Sequence, residues 1–110
     1  YILPPIANAT SLALGLDLAG GSLDAEDARL DRFTPLAELL PLVDGTTREL
    51  PASANRDDGS VTRIVTQHAE DGVEDGHEVV FQLDTPKAEY RCFLASLARG
   101  EVPTVSRDCE

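Results

Sequence analysis

The stretch TPKAEYRCFLASLARG, residues 85–100, followed by EVPTVSRDC, residues 101–109, decides the fold. Thr85 before Pro86 reads as a helix start, because a proline in the first turn gives up an N–H that would have no intrahelical partner. Neither Pro nor Gly interrupts Ala88 to Arg99, and Gly100 stands where a left-handed residue closes a helix. Tyr90, Phe93, Leu94 and Leu97 recur at threes and fours, so that face is expected to lie across a sheet.

The chain's two cysteines, Cys92 and Cys109, both belong to this stretch. Cys92 falls near the helix middle, about 10 to 12 Å from its end at about 1.5 Å per residue, a distance the tail from Gly100 to Cys109 easily retraces. A disulfide is therefore expected. Closing such a loop contributes on the order of 3 kcal/mol, and it would make residues 100 to 108 a constrained presentation loop. The competing reading is a buried free Cys92 and a spectator Cys109 in a reducing cytosol. A catalytic dithiol has its cysteines much closer together, as in Cys-x-x-Cys. The disulfide implies an extracytoplasmic protein, whether periplasmic, at the cell surface or secreted.

Upstream, Val61 to His68 is rich in β-branched residues, and Val79, Phe81 and Leu83 alternate within His77 to Leu83, which predicts two antiparallel strands. The connection from Glu70 to Gly76 carries two Asp-Gly pairs, whose glycines accept the positive φ of a hairpin turn. Further back, Thr34-Pro35 opens a short helix that Pro41 stops, and residues 43–59 read as a long polar connection. Ser22 reads as the N-cap of a helix from Leu23 to about Arg32, with Asp24, Glu26 and Asp27 in its first turn. Leu12, Leu14, Leu16 and Leu18 fall at period two and suggest a strand. A strand over 103–106 would add to the sheet. The expected fold is thus α+β in a single domain over residues 1–110: short N-terminal helices, an antiparallel sheet with a central hairpin, and a C-terminal helix stapled to the tail.

With 110 residues, two Tyr, three Phe and no Trp, the core must be small and aliphatic. Acidic residues outnumber basic ones 20 to 9, giving a formal charge of -11 that repels phosphate backbones, so no nucleic-acid partner is expected. Apart from Lys87 the basic residues are all Arg, a bias that a GC-rich bacterial genome would produce. No run is long and apolar enough to span a bilayer. The start at Tyr1 lacks an initiator Met and a signal peptide, as in a mature product or a trimmed chain, and a removed leader or membrane anchor upstream of Tyr1 is consistent with the cysteine reading.

Chemistry-bearing patterns are sparse. His68, Glu70, Asp71, Glu74, Asp75, His77 and Glu78 crowd the predicted hairpin tip, with His68, His77 and Asp75 as metal candidates. Their spacing matches neither an EF-hand nor a helical zinc motif, and a solvated acidic turn is the preferred reading. Residues 55–60 carry acids and a glycine at offsets wrong for a calcium loop and read as a turn. Gly20-Gly21-Ser22 lacks the longer phosphate-binding fingerprint and is read as helix capping. Asn8-Ala9-Thr10 fits the N-glycosylation triplet, which matters only in a eukaryotic secretory pathway. No Ser stands in a nucleophile elbow. The expectation is a non-enzymatic module without cofactor or small-molecule substrate that binds another protein or joins a cell-envelope assembly. Candidate contact residues are Glu70, Asp71, Glu74 and Asp75 on the hairpin and Glu101, Val102 and Thr104 on the tail. A second expectation is an acidic inhibitor or immunity protein that blocks a basic enzyme cleft.

A sheet followed by a late segment bounded by Cys92 and Cys109 also resembles the C-terminal part of type IV pilin and pseudopilin globular domains, in which a disulfide delimits a variable surface region. The resemblance covers roughly residues 61 to 110 and rests on the two cysteines and the strand order. It implies a subunit of a pilus or secretion system. Residues 1 to 21, broken by Pro and Gly, depart from the anchoring helix of that family.

Overall fold

Pro4 opens a helix, α1 (Pro4–Ala13), in place of the strand suggested by Leu12 to Leu18. Two local features accompany this helix. The Thr10 and Ser11 hydroxyls donate back to the carbonyls of Ile6 and Ala7. Gly15, at φ +69, ends the helix with a paired closure in which its own N–H reaches Leu12 and that of Leu16 reaches Ser11. The period-two leucines therefore divide: Leu12 packs against the core while Leu14 is exposed.

The computed structural model describes residues 4–70, 72 and 79–109. The chain falls into two compact units, Tyr1–Glu49 with Arg63–Gln67, and Leu50–Thr62 with His68–Glu110. It is a mixed helix-and-strand fold with small sheets, and a disulfide joins the C-terminal helix to the tail.

In the first unit, β1 (Asp17–Ala19) is the centre of a three-stranded parallel sheet between β2 (Thr47–Arg48) and β4 (Ile64–Val65). Leu18, Leu36 and Leu40 form its buried cluster, with Leu12, Ala37 and Val65 packed around them. Between β1 and β2 the expected helix from Leu23 to Arg32 breaks in two. α2 (Leu23–Glu26) ends at Asp27, whose carboxylate accepts the Arg29 N–H and guanidinium and so starts a separate 3-10 turn, Ala28–Leu30. Ser22 occupies the N-cap position without capping; its hydroxyl donates to Asp24.

α3 (Leu36–Leu39) and the 3-10 turn Leu40–Val43 follow. The Leu36 N–H at the start of α3 is satisfied by Asp24 Oδ2 at 2.7 Å rather than by Thr34. Gly45 suits the next corner, since a Cβ there would come within 2.9 Å of Leu40 Cδ2 and force the buried Leu40 to shift. Asp17 is wholly buried and accepts from the Thr46 N–H at 2.9 Å and Arg48 Nε at 2.7 Å. The polar 43–59 connection thus contains a sheet strand and the partner of a buried carboxylate.

In the second unit, β3 (Ala52–Ser53) pairs antiparallel with β5 (Thr104–Val105), the strand expected over 103–106. Residues 55–60 are the anticipated turn, closed by paired hydrogen bonds between Arg56 and Val61. The predicted hairpin is not formed by these strands. β4 finds its partner in β1, in parallel, and Val79–Gln82 is a helical turn, α4, that leads through Leu83 into α5 (Asp84–Ala98). A short alternating apolar run fits a helical turn as readily as a strand, and Val80 and Phe81 are both exposed, so period two buries no face here. The Asp-Gly turn itself lies outside the described residues, apart from Glu70 and Gly72.

Candidate functional site

α5 presents two unlike sides, and the buried one is not the apolar one. Glu89, Cys92 and Ser96, spaced three and four apart, are buried. Of the face expected to cover a sheet, Tyr90, Leu94 and Leu97 remain 42%, 56% and 53% exposed and Phe93 is half-buried. The cause is the tail. Cys92 is bonded to Cys109 with Cα atoms 5.6 Å apart, so whichever face carries Cys92 must face residues 104–109.

The polar groups on that buried side, Ser96 and Glu89, are matched. The Ser96 hydroxyl donates to the Cys92 and Phe93 carbonyls and accepts the Thr104 N–H at 2.9 Å, which anchors β5 to the helix. Glu89 accepts from Arg107 Nε at 2.9 Å through one oxygen and meets His68 Nε2 at 2.8 Å through the other. With its side chain only 5% exposed, Glu89 would be costly as an unpaired charge, and the disulfide holds Arg107 close enough to prevent that. At the helix end Gly100, at φ +78, donates to Leu97 while Glu101 donates to Ser96, the two-bond closure also seen at Gly15.

Residues 102–105 are partly built into the fold, while Gly100 and Glu101 stay exposed. Thr104 and Val102 are half-buried, and the Thr62 hydroxyl donates to the Pro103 carbonyl. Glu101 is exposed and accepts two bonds from the Arg99 guanidinium, which hold its carboxyl below the ordinary range. Glu70 is exposed. Asp71, Glu74, Asp75 and His77 lie outside the described residues. His68 is drawn inward to Glu89, and no group of three metal-binding side chains occurs among the described residues. Sequence reading missed Glu89 and Arg107 because neither belongs to a motif; their signal is only that each lies within three residues of a bridged cysteine.

In the first unit a hollow of about 300 Å³ opens where β1 and β2 end, lined by Leu18, Gly21, Ser22, Thr47, Arg48 and Glu49. Parallel strands commonly bind ligands at that edge. The Arg48 Nε is already committed to Asp17. Gly20-Gly21-Ser22 thus borders a hollow as well as a helix start.

No family model, curated protein or solved structure matches the chain. The disulfide is consistent with an oxidising, extracytoplasmic environment, and no described helix is long and apolar enough to cross a membrane.

Proposed function

We propose that this chain is a non-enzymatic extracytoplasmic module, periplasmic, secreted or surface-held, that binds another protein or joins a cell-envelope assembly. The observation that carries the reading is the apolar stripe Tyr90, Leu94 and Leu97, left in solvent on a helix whose opposite side is tied down by the Cys92–Cys109 bond and the Glu89 pairings. A helix fixed on one side presents its other side with little ordering cost on association. Contiguous exposed apolar surface is characteristic of protein contact. Membership of a pilus or secretion system is a narrower form of the proposal and draws on the same disulfide; the strand order that also suggested it belongs to the hairpin replaced above. The acidic-inhibitor reading draws only on net charge, since Lys87 and Arg91 flank this stripe and would be repelled by a basic cleft.

A photo-crosslinking residue at position 94, in cells that export the chain, tests the proposal. The expected result is a discrete adduct with protein of the envelope or extracellular fraction, lost when Tyr90 or Leu97 is changed to Asp. Absence of any adduct, or two free thiols in unreduced exported protein by mass spectrometry, would overturn it.

A further inference from the structure

The first unit carries an apolar projection of its own. In the 3-10 turn Leu40–Val43, Leu40 is fully buried while Leu42 is 78% exposed, the highest value among the large apolar side chains described. Val43 beside it is also exposed. Pro41 sits in the first turn, and Asp44 closes it in the left-handed region at φ 58, so the projection is rigid and loses little freedom when it docks. Glu38 and Asp44, one on each side of it in sequence, are exposed, and neither pairs with a base among the described residues.

The α5 stripe has the complementary character. At 3.6 residues per turn, Tyr90, Leu94 and Leu97 span about 60° of arc, and Lys87, half-buried and paired with the exposed Asp84 at 3.0 Å, and the exposed Arg91 follow on one flank. Arg91 pairs with no acid among the described residues. A side chain entering the space between residues four and three apart on a helix is the usual way a knob meets a hole. An apolar knob flanked by carboxylates and an apolar helix face flanked by cations match in shape class and in sign.

Resting on the assembly reading above, we propose that the occupant of the α5 face is a second copy of this chain, whose Leu42–Val43 turn docks between Tyr90, Leu94 and Leu97, with Glu38 and Asp44 toward Lys87 and Arg91. The two surfaces differ, so the contact is heterologous. It leaves a free turn on one copy and a free face on the other, and copies add head to tail into rings or open filaments. The formal charge of -11 opposes this at low ionic strength, and salt near physiological strength screens it beyond about 8 Å while leaving contact-range pairs.

Sedimentation of the purified, oxidised chain across a concentration series tests the proposal, with Leu42→Asp and Leu94→Asp as variants. Both sites are exposed, and circular dichroism with an intact disulfide verifies each fold. Wild type is expected to gain mass with concentration, and each variant alone to associate at least about tenfold more weakly, the loss that follows from one apolar side chain. The decisive sample is the equimolar mixture: an intact turn on the L94D copy meets an intact face on the L42D copy, giving a 1:1 dimer that cannot extend. A monomeric wild type would overturn the proposal, as would association that survives L42D, the mark of face-to-face pairing. If position 94 crosslinks to a different protein in cells while the purified chain stays monomeric, the binding module stands and self-assembly falls.

Discussion

The first unit is organised around aliphatic packing and the second around a covalent bond and matched polar groups. Leu18, Leu36 and Leu40 are essentially inaccessible in the first, whereas among the described residues of the second the buried apolar ones are the smaller Ala52, Pro86, Cys92 and Val105. Each unit also buries carboxylates, but they do different work. Asp24 satisfies a backbone N–H at the start of α3 and Asp17 the Thr46 N–H together with the Arg48 guanidinium, while Glu89 joins only side chains among its described partners, His68 and Arg107, from two other segments. The contrast teaches that a unit burying few large apolar side chains holds its geometry by restricting its unfolded ensemble and by exact pairing of the charge it buries.

The comparison breaks most severely at Leu40. Leu40→Ala is expected to cost about 3 to 5 kcal/mol, read by denaturant unfolding, with loss of amide protection concentrated in β1 and α3. Removing the bridge by paired Cys92→Ser and Cys109→Ser substitutions should cost about 3 kcal/mol and shift the loss of protection to α5 and residues 106–109. If protection instead falls equally in β1, the distinction between the units fails.

Glu89→Gln keeps the shape and removes the charge. It should cost about 2 kcal/mol, the range for hydrogen bonds to charged groups, and the His68 and Arg107 side-chain resonances should both move. Gly100→Ala forces an L residue into the left-handed region and should cost about 1 kcal/mol, visible as fraying at the end of α5 by hydrogen exchange.

The smallest effect is acid-dependent. Hydrogen bonds from the Arg29 guanidinium and N–H hold the Asp27 carboxyl down to about 2, from 3.8. A depressed carboxylate stabilises fully above its unfolded value, and that contribution fades as pH falls through about 4 towards 2. An NMR titration should show Asp27 returning towards the ordinary range in Arg29→Ala, with stability near neutral pH hardly changed because the Arg29 guanidinium lies in solvent.

Local chemistry made α5 legible: its uninterrupted run, Gly100, and cysteines within reach of each other. β5 was legible too, as a β-branched patch in a tail with nowhere else to go. What stayed hidden was non-local. Nothing near Ile64 indicates that its partner is Asp17 in parallel rather than a strand after an Asp-Gly turn. The acceptor that starts α3 is Asp24, twelve residues earlier, and local capping rules favour the neighbouring Thr34. The orientation of α5 was misread because periodicity identifies an apolar face without saying that it will be covered. A disulfide on another face outweighed it.

The bridge also sets where tension enters the molecule. A pull applied beyond Cys109 passes through the sulfur atoms to Cys92, in the interior of a fifteen-residue helix, and bypasses the β5 ladder, which alone would unzip one pair at a time. Residues 93 to 108 form a slack loop in parallel with that covalent path, so the docked tail carries almost none of the load. Under such a pull, stretching would be felt at α5 before it could peel β5 from β3.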